Sequence, residues 1–128
     1  MINLTVEMVK KIHDYLIETE GGESGVRDIG TLEYLVNNIN CEEDLFRKAA
    51  WALMLADWHP FWDGQKRTAL QLADLILRDG GYHIHAEDEE LIQVLTIIAE
   101  YKCNLKKILR WVQKKARKLE GRRQLHLG

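Results

Sequence analysis

Ten consecutive residues, His59-Pro60-Phe61-Trp62-Asp63-Gly64-Gln65-Lys66-Arg67-Thr68, place a base, a carboxylate, a glycine and two cations around a turn and a helix start. The first four backbone N–H groups of a helix have no partner inside it, and the helix dipole favours negative charge there. Gly64 leaves the approach to those groups clear of a side chain, so a phosphate could rest directly on the amides. Lys66 and Arg67 fall in the first turn, a poor place for cations, and their position predicts a bound anion. Asp63 is placed to hold a divalent cation, since magnesium typically binds through one or two carboxylates plus phosphate oxygens. Histidine ordinarily titrates near neutral pH, so His59 can take the proton of an attacking hydroxyl. Base, metal carboxylate, anion cradle and charge clamp are the parts that phosphoryl or nucleotidyl transfer requires. Each residue alone has a plainer role: Asp63 as an N-cap, His59 as a dipole partner near a helix end, Arg67 as a solvated side chain. Their joint spacing is what points to a phosphate site.

The elements that must position this turn read as helices. Thr5 caps a first one, with Val9, Ile12, Leu16 and Ile17 on its apolar face, and Gly21-Gly22 end it. Residues 19–30 read as an irregular loop that can hold short extended structure. A short helix follows at about 31–38. Asn40 then begins a third, with Glu43 at the capping-box position and Leu45, Ala49, Ala52, Leu53 and Ala56 on its core face. Pro60, the single proline, stops that helix and pushes His59 toward an extended backbone. A fourth helix covers about 64–78 and stops at Gly80-Gly81; Tyr82 to His85 form an extended link. A fifth starts near Asp88 and a last one covers about 104–119. The fold class is all-α: a bundle of about six helices, with the chemistry-bearing turn between the two long central ones. Residues 1–120 are expected to form one domain and residues 121–128 a polar tail.

The turn resembles the signature of the Fic/Doc family, H-P-F-x-[D/E]-G-N-[G/K]-R, matching seven of its eight defined positions. Ile12-His13-Asp14, Gly21-Gly22 through Gly25-Val26-Arg27-Asp28, Ala49-Ala50 and Asp79-Gly80-Gly81-Tyr82 are similar to the Doc (death-on-curing) branch, so the resemblance spans roughly residues 4–100. It implies a Fic/Doc-like bundle and a transferase that uses ATP and magnesium to modify a Ser, Thr or Tyr hydroxyl of a protein, in the Doc branch one of the translation machinery. By the family pattern His59 is the general base and Asp63 the magnesium ligand. Gly64, Gln65, Lys66 and Arg67 bind the nucleotide phosphates, and Phe61 anchors the loop. Arg27 and Asp28 lie in the segment that docks the target chain.

Gln65 stands where the family has Asn; its longer side chain can donate an amide N–H to phosphate from a displaced position. Lys66 matches the Doc branch, which resembles a kinase; AMP transfer is the alternative. The second arginine of many members is Leu70 here, and the nearest match to their self-silencing helix, Thr96 to Glu100, is followed by Tyr101. Restraint by a separate antitoxin is therefore what the resemblance implies. The other alternative is a catalytically degenerate module that binds an antitoxin or nucleic acid.

Composition bounds these readings. With 46% hydrophobic residues and mean hydropathy −0.30, a 128-residue chain can bury one core and contains no apolar run of membrane-spanning length. Residues 1–4 do not start a signal peptide, and Cys41 and Cys103 form no C-x-x-C pair, which together suit a cytoplasmic protein with reduced thiols. Residues 1–101 hold 8 Lys/Arg against 19 Asp/Glu, a net −11, whereas residues 102–128 hold 10 against 1, a net +9. The favoured reading of that asymmetry is a basic helix packed on its own acidic body; the alternative is a nucleic-acid surface. His13-Asp14 would suit an HD-type phosphohydrolase only with an earlier histidine, and residues 1–12 contain none. His83 and His85, with Glu87 and Asp88, read as surface residues. Trp51, Trp58 and Trp111 read as core-edge residues, and Trp62 as exposed near the target groove.

Overall fold

In the computed structural model, which describes residues 1–101 and 103–120, the chain runs through α1 (Val6–Glu20), α2 (Ile29–Cys41), α3 (Leu45–Leu53), α4 (Leu55–Trp58), α5 (Gln65–Asp79), β1 (Tyr82–Ile84), α6 (Asp88–Tyr101), α7 (Leu105–Lys115) and β2 (Ala116–Lys118). Apart from two three-residue strands the described elements are helices, so the chain is all-α. The expected tail, residues 121–128, lies outside the described residues.

Helix starts follow local capping chemistry. Thr5, Asp28, Asp44 and Asn104 each accept an N–H from the first turn of α1, α2, α3 and α7, at 2.9–3.1 Å. Asp44, not Asn40, therefore starts the third helix, and α2 begins earlier and ends later than its apolar spacing suggested. Asn40 lies in the last turn of α2, where its amide clasps the chain ahead of α1. Its Nδ2 donates to Leu4 O and its Oδ1 accepts from Leu4 N, both at 2.8 Å. A capping-type residue was read as a local device and is a long-range one.

α3 and α5 form the centre. Ala49, Ala50, Ala52 and Leu53 of α3 meet Ala69, Leu72, Ala73, Ile76 and Leu77 of α5, all at most 1% exposed. Small alanines on both faces let the two backbones approach closely, and the larger side chains fill the space beside them. Replacing one such leucine with alanine typically costs about 2–5 kcal/mol. The third helix is broken at Met54, whose N–H reaches the carbonyls of both Ala50 and Trp51, and α4 is a single turn beyond the break.

One further expectation needs correction. The last helix stops at Lys115, because residues 116–118 pair antiparallel with β1 in the register Tyr82↔Lys118, His83↔Arg117, Ile84↔Ala116. Backbone pairing across 34 residues outweighs local helix propensity there. The basic helix packs on the body of the protein and meets the acidic start of α6. α7 packs on α3 through buried Ile108 and Val112, and its ion pair among the described residues is Lys115 Nζ–Glu90 Oε2 at 3.0 Å.

Candidate active site

α4 ends in the chemistry-bearing turn. His59 has φ 52 and ψ 56, left-handed rather than extended. The effect of the following proline loses to three hydrogen bonds that hold the residue. His59 N–H closes the last turn on Leu55 O (3.2 Å), the ring Nδ1 lies 2.7 Å from Asp57 O, and Arg27 Nε donates to His59 O at 2.8 Å. A carbonyl can only accept, so Nδ1 carries a proton, and in the neutral ring it is Nε2 that keeps the lone pair. That is the tautomer a general base requires.

Beyond Pro60 the chain drops Phe61 into the core at 1% exposure and turns Trp62 outward at 57%. Gly64, at φ 72, is the N-cap of α5 and supplies no side-chain cap, unlike the residues that start α1, α2, α3 and α7. The first helical bond of α5 runs from Thr68 N–H to Gly64 O, which leaves the N–H groups of Gln65, Lys66 and Arg67 as the helix's unpaired donors. They open onto a pocket of ≈ 390 Å³ lined by His59, Trp62, Asp63–Arg67 and Ala99 of α6.

Asp63 sits at the mouth. Its Oδ2 accepts from Glu23 N at 3.1 Å and its Oδ1 from Gly64 N at 2.8 Å. The Glu23 N–H, then the Gly64 N–H, hold its carboxyl below the usual range, with a smaller contribution from the Arg67 charge. Each oxygen keeps a further lone pair, so an ionised Asp63 fits a divalent cation as well as it fits these amides. Gly22 explains how Glu23 gets there. At φ +119 the chain crosses so close that a Cβ on Gly22 would stand 2.8 Å from Asp63 Oδ2 and 3.2 Å from Arg67 Nη2.

The remaining site residues have partners that spacing did not reveal. Gln65 is 7% exposed and folds back onto the turn: its Nε2 donates to Phe61 O, and its Oε1 accepts from Phe61 N at 3.3 Å. These two bonds engage the Gln65 amide within the turn, and its backbone N–H is directed to the start of α5. Arg67 donates to Gly21 O (2.9 Å) and Leu16 O (3.4 Å), with Glu20 at 4.0 Å. The negative end of α1 thus meets the positive end of α5, and Arg67 bridges them. Its position at a helix start therefore has a partner inside the protein, while Lys66 is exposed at the rim. Arg27 and Asp28 also hold the turn in place: Arg27 grips the end of α4, Asp28 caps α2, and both donate their N–H to Pro60 O at 2.8 and 3.0 Å. Val26 pairs with Phe61 beside them, the short extended structure expected in this loop.

His13 is the residue that the sequence reading missed as a member of this site. It is 1% exposed, stacks flat on Phe61 with centroids 3.8 Å apart, and lies with Nε2 2.7 Å from Asp63 O. Its signal was a buried polar position on the apolar stripe of α1, one turn before Leu16 and Ile17. His83 and His85 lie on the β1 side of the molecule with ring centroids 6.1 Å apart.

The fold and site define a helical domain in which an uncapped helix start and a histidine line one pocket. No protein-family model matches the chain. It is 33% identical over 96 residues to the protein kinase doc of Escherichia phage P1, covering 70% of this chain and 76% of that protein. The chain therefore belongs to the Doc family.

Proposed function

We propose that this chain is a Doc-type toxin that transfers the γ-phosphoryl group of ATP to a Ser, Thr or Tyr hydroxyl of a protein of the translation machinery, restrained by an antitoxin partner. One observation carries the reading: His59, with Nδ1 tied to Asp57 O and Nε2 bare, lines the same pocket as the unpaired N–H groups of Gln65–Arg67. The relative's name as a kinase supports phosphoryl rather than AMP transfer, as does Lys66.

In this reading the triphosphate rests on the amides at the start of α5, with Lys66 at the rim. His59 Nε2 takes the proton of the target hydroxyl as its oxygen bonds to the γ-phosphorus. The bond from that phosphorus to the β–γ bridging oxygen breaks, and ADP leaves. Asp63 would hold the magnesium ion, which supplies neutralisation of charge on the phosphate oxygens. The cleft of ≈ 720 Å³ lined by Asp28, Gly30, Thr31, Tyr34, Asp57 and Trp58 adjoins the same turn and gives the target chain a place to lie.

The test is to incubate the protein with ATP, magnesium and candidate translation factors and weigh the products. A gain of one phosphate on a target is expected; a gain of AMP would move the reading to nucleotidyl transfer. His59→Ala should slow transfer on the order of a hundredfold or more while calorimetry shows nucleotide still bound. A second reading, a degenerate binding module, is favoured by the inward commitments of Gln65 and Arg67. It would be chosen if the wild type binds no nucleotide and Gln65→Asn restores binding.

A further inference from the structure

Residues 105–118 hold seven Lys/Arg and no Asp or Glu. At about 100° per residue, Lys106, Lys107, Arg110 and Lys114 fall within an arc of about 100° on α7, with Gln113 at its edge. All five are exposed, and among the described residues none of the four cations has a carboxylate within 4.0 Å. Ile108 and Val112 face the other way into the core. Lys115, which pairs with Glu90 beside the acidic start of α6, lies about 130° round the helix from the middle of the arc.

Within the arc itself no described side chain is aromatic or aliphatic; the apolar pocket of Val94, Ile97 and Trp111 lies at its Lys107 edge only, and protein interfaces draw most of their energy from central anchors of that kind. It also does not suit a membrane surface, because an interfacial helix must offer its apolar side to lipid and that side of α7 is packed on α3. What it offers is a row of cations, successive ones about 6 Å apart along the axis from Lys106 to Arg110 to Lys114. Such a row gains binding energy against a regular polyanion by releasing that polyanion's counterions. We propose that this face of α7 binds the phosphodiester backbone of nucleic acid without reading its sequence. The surface is separate from the pocket at His59, and the inference does not rest on the function proposed for that pocket.

Fluorescence anisotropy with labelled duplex DNA and duplex RNA of equal length, between 50 and 200 mM salt, tests it. With four phosphate contacts the wild-type affinity should fall about a hundredfold over that range, a slope of about −3.6 in log–log form. The triple variant Lys106→Ala/Arg110→Ala/Lys114→Ala should bind far more weakly at low salt and lose about 2.7 from the slope, with its helical circular dichroism intact. His59→Ala should bind like the wild type. Binding to both duplexes, or a preference for one, supports the proposal and identifies the source of the phosphates. No binding at 50 mM salt, or binding and slope unchanged in the triple variant, overturns it. So does self-association in sedimentation runs without nucleic acid that the triple variant abolishes, because the face would then belong to a second copy.

Discussion

The carbonyl of Asp63 receives the Nε2–H of His13 at 2.7 Å, from a ring that is 1% exposed. That tautomer leaves Nδ1 buried without a hydrogen-bond partner, a cost the fold accepts to fix the loop. His13→Phe would preserve the stack on Phe61 and remove the donor. We expect it to destabilise the protein by about 1 kcal/mol in urea unfolding, the net worth of a typical hydrogen bond. A wild-type midpoint would mean that the stack, not the hydrogen bond, is what His13 contributes. The motif from His59 to Arg67 was legible residue by residue, but its supports were not. His13, Gly22 and Arg27 act on it from 32 or more positions away, and no local spacing encodes that.

At the scale of elements, most of the helices were visible because amphipathic period and caps are local. Thr5 and the glycine stops were read correctly, and the extended link at Tyr82 became β1. The failures share a cause. Asn40 satisfied every rule for an N-cap, yet its amide was taken by Leu4, and the sequence-adjacent Asp44 filled the capping role instead. Asn40→Ala should therefore detach the N-terminal segment rather than fray α3. Amide exchange at Leu4 and through the first turn of α1 should quicken, with an overall loss of about 1–3 kcal/mol for the two hydrogen bonds. Faster exchange confined to Leu45–Lys48 would restore the capping reading. Likewise residues 116–118 read as helix from their neighbours and became β2 because Tyr82–Ile84 offered a strand edge.

At the scale of the molecule, charge rather than packing sets the response to acid. Asp28, Asp63 and Glu90 all have lowered carboxyl pKa values. For Asp28 and Asp63 the first cause is a backbone N–H, from Thr31 and Glu23; for Glu90 it is the Lys115 side chain. The unfolded chain binds protons on these groups at higher pH than the folded one does. Their contribution is thus complete above the ordinary carboxylate range, about pH 4, and is lost as pH falls through the lowered values. Urea midpoints should hold from pH 7 to about 5 and fall below about 4, and Asp63→Asn should flatten that acid limb. An equally steep limb in the variant would place the effect elsewhere. No described helix is long and apolar enough to cross a membrane.

The all-α class, the position of the turn and the residue types gathered in it were readable along the chain, because helix period, caps and a contiguous motif are properties of neighbours. Only the tertiary structure decided which way those side chains face. Gln65 and Arg67 line the pocket, and the fold also gives each a partner in the protein, Phe61 and the end of α1. Polar groups take whatever acceptor the folded chain brings within reach: for Gln65 that is Phe61, four residues back across a turn whose shape spacing does not give, and for Arg67 it is Gly21, 46 residues away.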